Sequence, residues 1–248
     1  MNYSPLKSAS DETDKVACLA GFTPSIWYTY GMNEFNSAIV IPSLRHLIRI
    51  LTKHHIEYRF LGSIIPASLN GKLHRSLGDF DLLVDRKAKD VLLTELTKLG
   101  YTQAGGMYIF GRNHMSLETL VHPTLLSIGY HFGSWQPDGS FVMGDSFIRV
   151  VIDAYALVKT RYTLYGIHFL GIPAGVVARG ITISATNPKR RTEQTLIKTQ
   201  KIDIFPNTYM HVTVAGFHAD WIYHLMMKLF NILGAIRVRL GLAFDPWR

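Results

Sequence analysis

One cysteine among 248 residues, Cys18, has no partner for an intramolecular disulfide. That excludes a disulfide-stapled fold and makes a reducing, cytoplasmic setting the expectation. Long apolar runs are missing too. The most apolar late stretch, Trp221 to Phe244, is interrupted by Lys228, Arg237 and Arg239 and makes a poor membrane span. The opening residues carry Asp11, Glu12 and Asp14 beside Lys7, without the basic flank and apolar core of a signal peptide. Acidic residues are scarce: 18 Asp and Glu stand against 26 Lys and Arg, for a formal net charge of +8. The excess favours anionic partners such as nucleotide, RNA or an acidic surface, without choosing among them. No P-loop, nucleophilic triad, internal repeat or low-complexity tract is found. His211, His218 and His224 lack zinc-site spacing and a cysteine partner, and read as surface histidines.

What is present suffices for a core: 48% of residues are hydrophobic and 12% aromatic. The length suits one large domain or two small ones. After an irregular lead-in over 1–42, Leu44, Leu47, Ile48 and Leu51 recur at helical spacing. They predict a helix from Pro42, capped by Ser43. Tyr58 to Leu61 reads as a strand ending at Gly62-Ser63. A short helix and a loop holding Gly71, Lys72, Arg75 and Gly78 lead to a second strand, Asp79 to Val84. Lys87 to Leu99 is helical, with Gly100 as its stop. A hairpin follows, Met107 to Gly111 and Met115 to Val121, turning at Asn113-His114. Extended segments are expected at Leu125–Phe132, Phe147–Ile152 and Ile167–Leu170, then a helix through Leu196 and Ile197 and a final one from His218 to Ile236. The order is that of an α/β (α+β) protein with a mixed twisted sheet flanked by helices.

Side chains alternate along a strand, so Asp79 and Asp81 share one face while Phe80 and Leu82 point into the core. Two neighbouring carboxylates repel unless something neutralises them. A hard divalent cation such as Mg²⁺, which takes carboxylate and phosphate oxygens, is the usual remedy. A solvated turn would explain an isolated Asp-x-Asp as well. Gly62 lets backbone approach a phosphate, and Ser63 adds a hydroxyl at a helix start; an ordinary strand-to-helix turn needs no more than this either.

Leu61-Gly62-Ser63, an intervening helix, then Asp79-Phe80-Asp81-Leu82-Leu83-Val84 resembles the signature of the polymerase-β-like nucleotidyltransferases. In that family a Gly-Gly or Gly-Ser pair precedes an Asp-x-Asp on the next strand. A looser resemblance covers Tyr165 to Pro173, Val176-Val177-Ala178 and Pro188-Lys189-Arg190. There Arg179 stands where the family commonly has lysine, and Glu193 where it has an acid after the basic pair. The two stretches span roughly residues 57 to 197. The resemblance implies a core over 43–160, with a C-terminal strand and helical region over 161–248 completing the cleft. It implies Asp79, Asp81 and a third acid, Glu118 or alternatively Asp153, as catalytic and metal-binding residues. It further implies two Mg²⁺ ions and an NTP held by Gly62, Ser63, Lys72, Arg75, Arg179 and Lys189. The expected activity moves an NMP from an NTP to the hydroxyl of an RNA end, a small molecule or a protein. The alternatives are a catalytically silent nucleic-acid-binding protein of the same fold, or a scaffold docking a protein partner through Leu225, Leu229, Ile232 and Ile236.

Overall fold

Helix α1 (Ser37–Lys53) buries Val40, Leu44, Leu47, Ile50 and Leu51 along one side. This is the stripe expected from sequence, but the helix starts five residues before Pro42. The proline removes only the bond that residue 42 would donate to Ala38, and Ala38 is exposed, so water can take its carbonyl. Ser43 is therefore no cap. Buried mid-helix, its Oγ donates to the Ile39 carbonyl at 2.6 Å and accepts from the Leu126 N–H at 2.8 Å. The computed structural model describes residues 36–103, 117–183, 190–206 and 208–221, with Leu225, Lys228, Leu229, Ile232 and Ile236. All lie within one compact unit, Glu34–Arg248.

After α1 come β1 (Tyr58–Leu61), α2 (Ile64–Leu69), β2 (Asp79–Asp85) and α3 (Lys89–Lys98). Strands β3 (Thr102–Gln103), β4 (Leu117–Val121), β5 (Ser127–Trp135), β6 (Phe141–Gly144) and β7 (Ile148–Ile152) follow. Then come β8 (Thr160–Leu164), β9 (Ile167–Gly171), α4 (Ala174–Ile183), α5 (Arg191–Thr199), β10 (Met210–Val214) and β11 (Phe217–His218). The first arm and turn of the expected hairpin, Met107 to Asn113-His114, lie outside the described residues. Its second arm is β4.

Among the described residues eleven strands join one mixed sheet, ordered β11-β10-β7-β6-β5-β2-β1-β9-β8, with β4 also paired to β5 and β3 to β4. The expected mixed α/β architecture, a sheet flanked by helices, is what the chain forms. The short strands β3, β6, β8, β10 and β11 are not among the segments expected from sequence, and His218, expected to open the final helix, closes β11. β2 is central, antiparallel to β1 and parallel to β5.

Alternation on β2 decides where the site lies. Phe80 and Leu82 are fully buried on one face, where Phe60 meets Phe80 edge-on at 5.7 Å. Lys89, at the start of α3, reaches across Phe132 on that same face. Asp79 and Asp81 share the opposite face. Beyond them Leu83 and Val84 are both buried, so both faces are covered there. At one end of that face Asp79 is exposed and Asp81 half-buried; at the other, Asp85 lines a cavity of about 510 Å³ with Glu57, Arg59 and Trp135. At the chain's other end, Leu225, Leu229, Ile232 and Ile236 recur at helical spacing and are each about half exposed. No helix of the described residues is long and apolar enough to cross a membrane.

Candidate active site

Leu61 lies opposite Asp81 on β1, and Gly129 lies opposite it on β5. The Asp81 carboxylate is thus walled in by two glycines. A Cβ on Gly62 would stand 2.9 Å from Oδ2, and one on Gly129 3.0 Å from Oδ1. Gly62 also has φ +68°, which an L side chain adopts only with strain. The Gly-Ser turn and the Asp-x-Asp strand therefore meet in space, the carboxylate filling room that the glycines leave. Gly62→Ala should cost about 1–2 kcal/mol in backbone strain. It should also displace the Asp81 carboxylate, so metal and nucleotide affinity would fall further than stability; calorimetric titration beside thermal melting reads both.

Burial pushes the Asp81 carboxyl above the usual aspartate range, against the opposing charges of Arg190 and Arg75. Those two arginines converge beside it. Ser63, which precedes α2, uses its Oγ for no backbone cap. It accepts hydrogen bonds from Arg75 Nη2 and from Arg190 Nη1, the latter at 3.0 Å. Both guanidiniums are held from behind by Glu193, whose side chain is fully buried. Oε1 accepts from Arg75 Nε at 3.1 Å and makes an ion-pair contact with Nη2 at 3.0 Å, and Oε2 accepts from Arg190 Nη1 at 2.7 Å. His74 Nε2 lies 3.4 Å from Oε1. Burial alone would raise the Glu193 carboxyl, but the His74 hydrogen bond and the two arginine charges hold it far below the usual range.

The remaining expected residues divide sharply. Glu118 pairs across β4–β5 with Tyr130, which aligns with Leu82, so its side chain lies on the Phe80–Leu82 face, away from Asp81. There it binds Lys89 Nζ at 3.0 Å and Gln103. The register thus corrects the expectation of Glu118 as third acid. Asp153 follows β7 and aligns, through β6, with the Trp135 end of β5. That end is six residues beyond Gly129, roughly 20 Å along the strand. It cannot complete the pair either. Lys72 is exposed on its loop, and neither it nor Arg179 on α4 is joined to the Ser63 cluster by a hydrogen bond or ion pair. Lys189 lies outside the described residues; its neighbour Arg190 is the group that reaches Ser63.

Arg190, Glu193 and Gly129 were not chosen from sequence as site residues. Their signals were present: an Arg-x-x-Glu pair one helical turn apart, and a glycine inside a strand, which marks a close approach. Asp153 instead contacts His211, whose Nδ1 is 3.0 Å from Asp220 and Nε2 3.3 Å from Asp153. The Asp220 hydrogen bond, opposed by burial and helped by Asp153, raises the histidine above its ordinary 6.5. A raised value favours the folded state at low pH, and that advantage disappears as pH climbs through it. The thermal midpoint should therefore decline modestly above about pH 6.5, and His211→Gln should flatten that decline.

No family model and no curated protein matches this chain. Among solved structures it is similar to the lincosamide antibiotic adenylyltransferase LnuA with lincomycin bound, at 15% identity. That match covers 69% of this chain and 99% of that one, with a TM-score of 0.49. It is similar also to ANT(2")-Ia in complex with adenylyl-2"-tobramycin, at 8% identity, 80% and 98% coverage and a TM-score of 0.47. A third is an antigenic nucleotidyltransferase-like protein from Paracoccidioides brasiliensis, at 18% identity, 68% and 77% coverage and a TM-score of 0.41.

Proposed function

We propose that this chain is a nucleotidyltransferase that moves a nucleoside monophosphate from an NTP to an acceptor hydroxyl. The observation that carries the reading is the insertion of the Asp81 carboxylate between Gly62 and Gly129, with Asp79 on the same strand face and two arginines on Ser63. Negative and positive groups are thereby placed side by side at the Asp79–Asp81 end of the β2 face, as a metal–triphosphate pair requires.

Mg²⁺ fits the donor set. Two carboxylates on one face offer hard oxygens, and substrate phosphates commonly supply the rest. Among the described residues no group of three His, Cys, Asp or Glu side chains is placed to hold a metal. With Glu118 facing away, the fit is to one ion on Asp79 and Asp81 rather than to the two that sequence led us to expect. The ion's contribution would be charge neutralisation at the phosphates.

The chain's own groups do the rest. Arg75, Arg190 and Ser63 bind the terminal phosphates. The acceptor oxygen forms a bond to the α-phosphorus as the bridge to the β-phosphate breaks. Pyrophosphate takes the bonding electrons, and the acceptor's proton passes through the carboxylate pair to water. The acceptor is an RNA end, a small molecule or a protein hydroxyl, the net positive charge leaning towards RNA.

One observation favours a second reading. The strand beside β2 presents Gly129 to Asp81 and contributes no acid there. A silent nucleotide- or RNA-binding protein would need none. Incubation with each α-labelled NTP, Mg²⁺ and fractions of cellular RNA, protein and small molecules separates the two. Label moving into one fraction supports transfer and names the acceptor class. Nucleotide bound without transfer sinks the enzyme reading in favour of the silent one.

A further inference from the structure

Two guanidiniums aimed at one neutral hydroxyl are an incomplete arrangement. Ser63 Oγ has two lone pairs, and Arg75 and Arg190 use both. Glu193 carries one negative charge against two positive ones; Asp81 is the other carboxylate beside the two arginines, and with a cation taking up its charge a unit of positive charge is left at Ser63. Exposure is graded in the same direction. The Glu193 side chain is 0% exposed, whereas those of Arg75 and Arg190 retain 24% and 28%. The carboxylate sits behind and the cations face the opening.

The two arginines also come from distant parts of the chain. Arg75 belongs to the loop before β2 and Arg190 to the start of α5. Glu193, 118 residues from Arg75, contacts both, as does Ser63. Its Oε1 accepts from Arg75 Nε and lies 3.0 Å from Nη2, which holds that guanidinium in place.

We propose that Glu193 is the positioning residue of a two-arginine phosphate clamp, in which Ser63 Oγ occupies the place of a terminal phosphate oxygen. The clamp rests on the nucleotidyltransferase reading above, and it adds Arg190 and Glu193 to the groups that select a polyphosphate. Terminal phosphates bring the charge that two arginines and one carboxylate leave unmatched. A nucleoside monophosphate does not extend that far.

The test is isothermal titration with Mg²⁺ and inorganic tripolyphosphate, α,β-methylene NTPs and the corresponding NMPs. Glu193→Gln keeps the shape and removes the charge. It should weaken tripolyphosphate and NTP analogues roughly ten- to a hundredfold while leaving NMP affinity within about twofold. A purely structural role would lower the fraction of active protein for every ligand alike, leaving the ratio of NTP to NMP affinity unmoved. Arg190→Gln should reproduce the loss. The double variant should be little worse than either single one, since the two act as a unit. Tripolyphosphate affinity unchanged in Glu193→Gln overturns the clamp and leaves the nucleotidyltransferase reading standing. A wild-type protein that binds no NTP analogue overturns both.

Discussion

Replacing Asp81 by asparagine is expected to cut nucleotidyl transfer by a factor of about 10²–10³ or more while the thermal midpoint stays level or rises. Both halves have one cause. Asp81 is walled by Gly62 and Gly129, and burial lifts its carboxyl above the usual range despite Arg190 and Arg75. Ionisation at neutral pH is therefore costly in the folded chain. The advantage of the protonated form is complete below the pKa of an unfolded aspartate, about 3.9. It is lost as pH rises through the higher folded value. Asparagine keeps the shape and escapes that loss, but cannot offer two anionic oxygens to a cation. Melting curves across pH should show wild-type stability sagging relative to Asp81→Asn as pH rises from about 4, alongside assays of label transfer. A variant both inactive and much less stable would mean that Asp81 serves packing rather than the site.

Removing the Glu193 side chain altogether should have the largest effect on stability. Glu193→Ala strands two guanidiniums whose inner nitrogens face a cavity, and breaking a buried pair from one side typically costs about 3–5 kcal/mol. That is a large share of the roughly 5–15 kcal/mol that holds an ordinary domain together. The loss should appear as a lower urea midpoint. A triple variant with Arg75→Met, Arg190→Met and Glu193→Leu should recover most of it, because no buried charge is then left alone. Recovery of stability without recovery of nucleotide binding would separate the fold's need for the cluster from the site's. Acid should remove this contribution: the carboxyl is held far below the usual range, so the stability it supplies is complete above pH about 4.3 and is lost progressively as pH falls from there towards the folded value.

Whatever depends on periodicity within one element is legible in the chain's residues alone. The apolar stripe of α1, the core-facing Phe80 and Leu82, and the shared face of Asp79 and Asp81 follow from repeats of 3.6 and 2 residues. Gly62-Ser63 was readable as a turn for a similar reason, since glycine alone adopts its φ cheaply. The tertiary structure decided everything that depends on how separate elements align. Alternation tells which residues of β4 share a face, but not which face that is. One residue of register would have turned Glu118 towards Asp81; pairing with Tyr130 sends it to Lys89 instead. Asp153 reads as an acid at a strand end, and only the order of strands reveals that it is the wrong end. The Glu193 clamp joins residues more than a hundred positions apart. Arg190 and Glu193 are legible in sequence as a basic segment and the acid after it, but only packing buries that carboxylate and brings Arg75 to it.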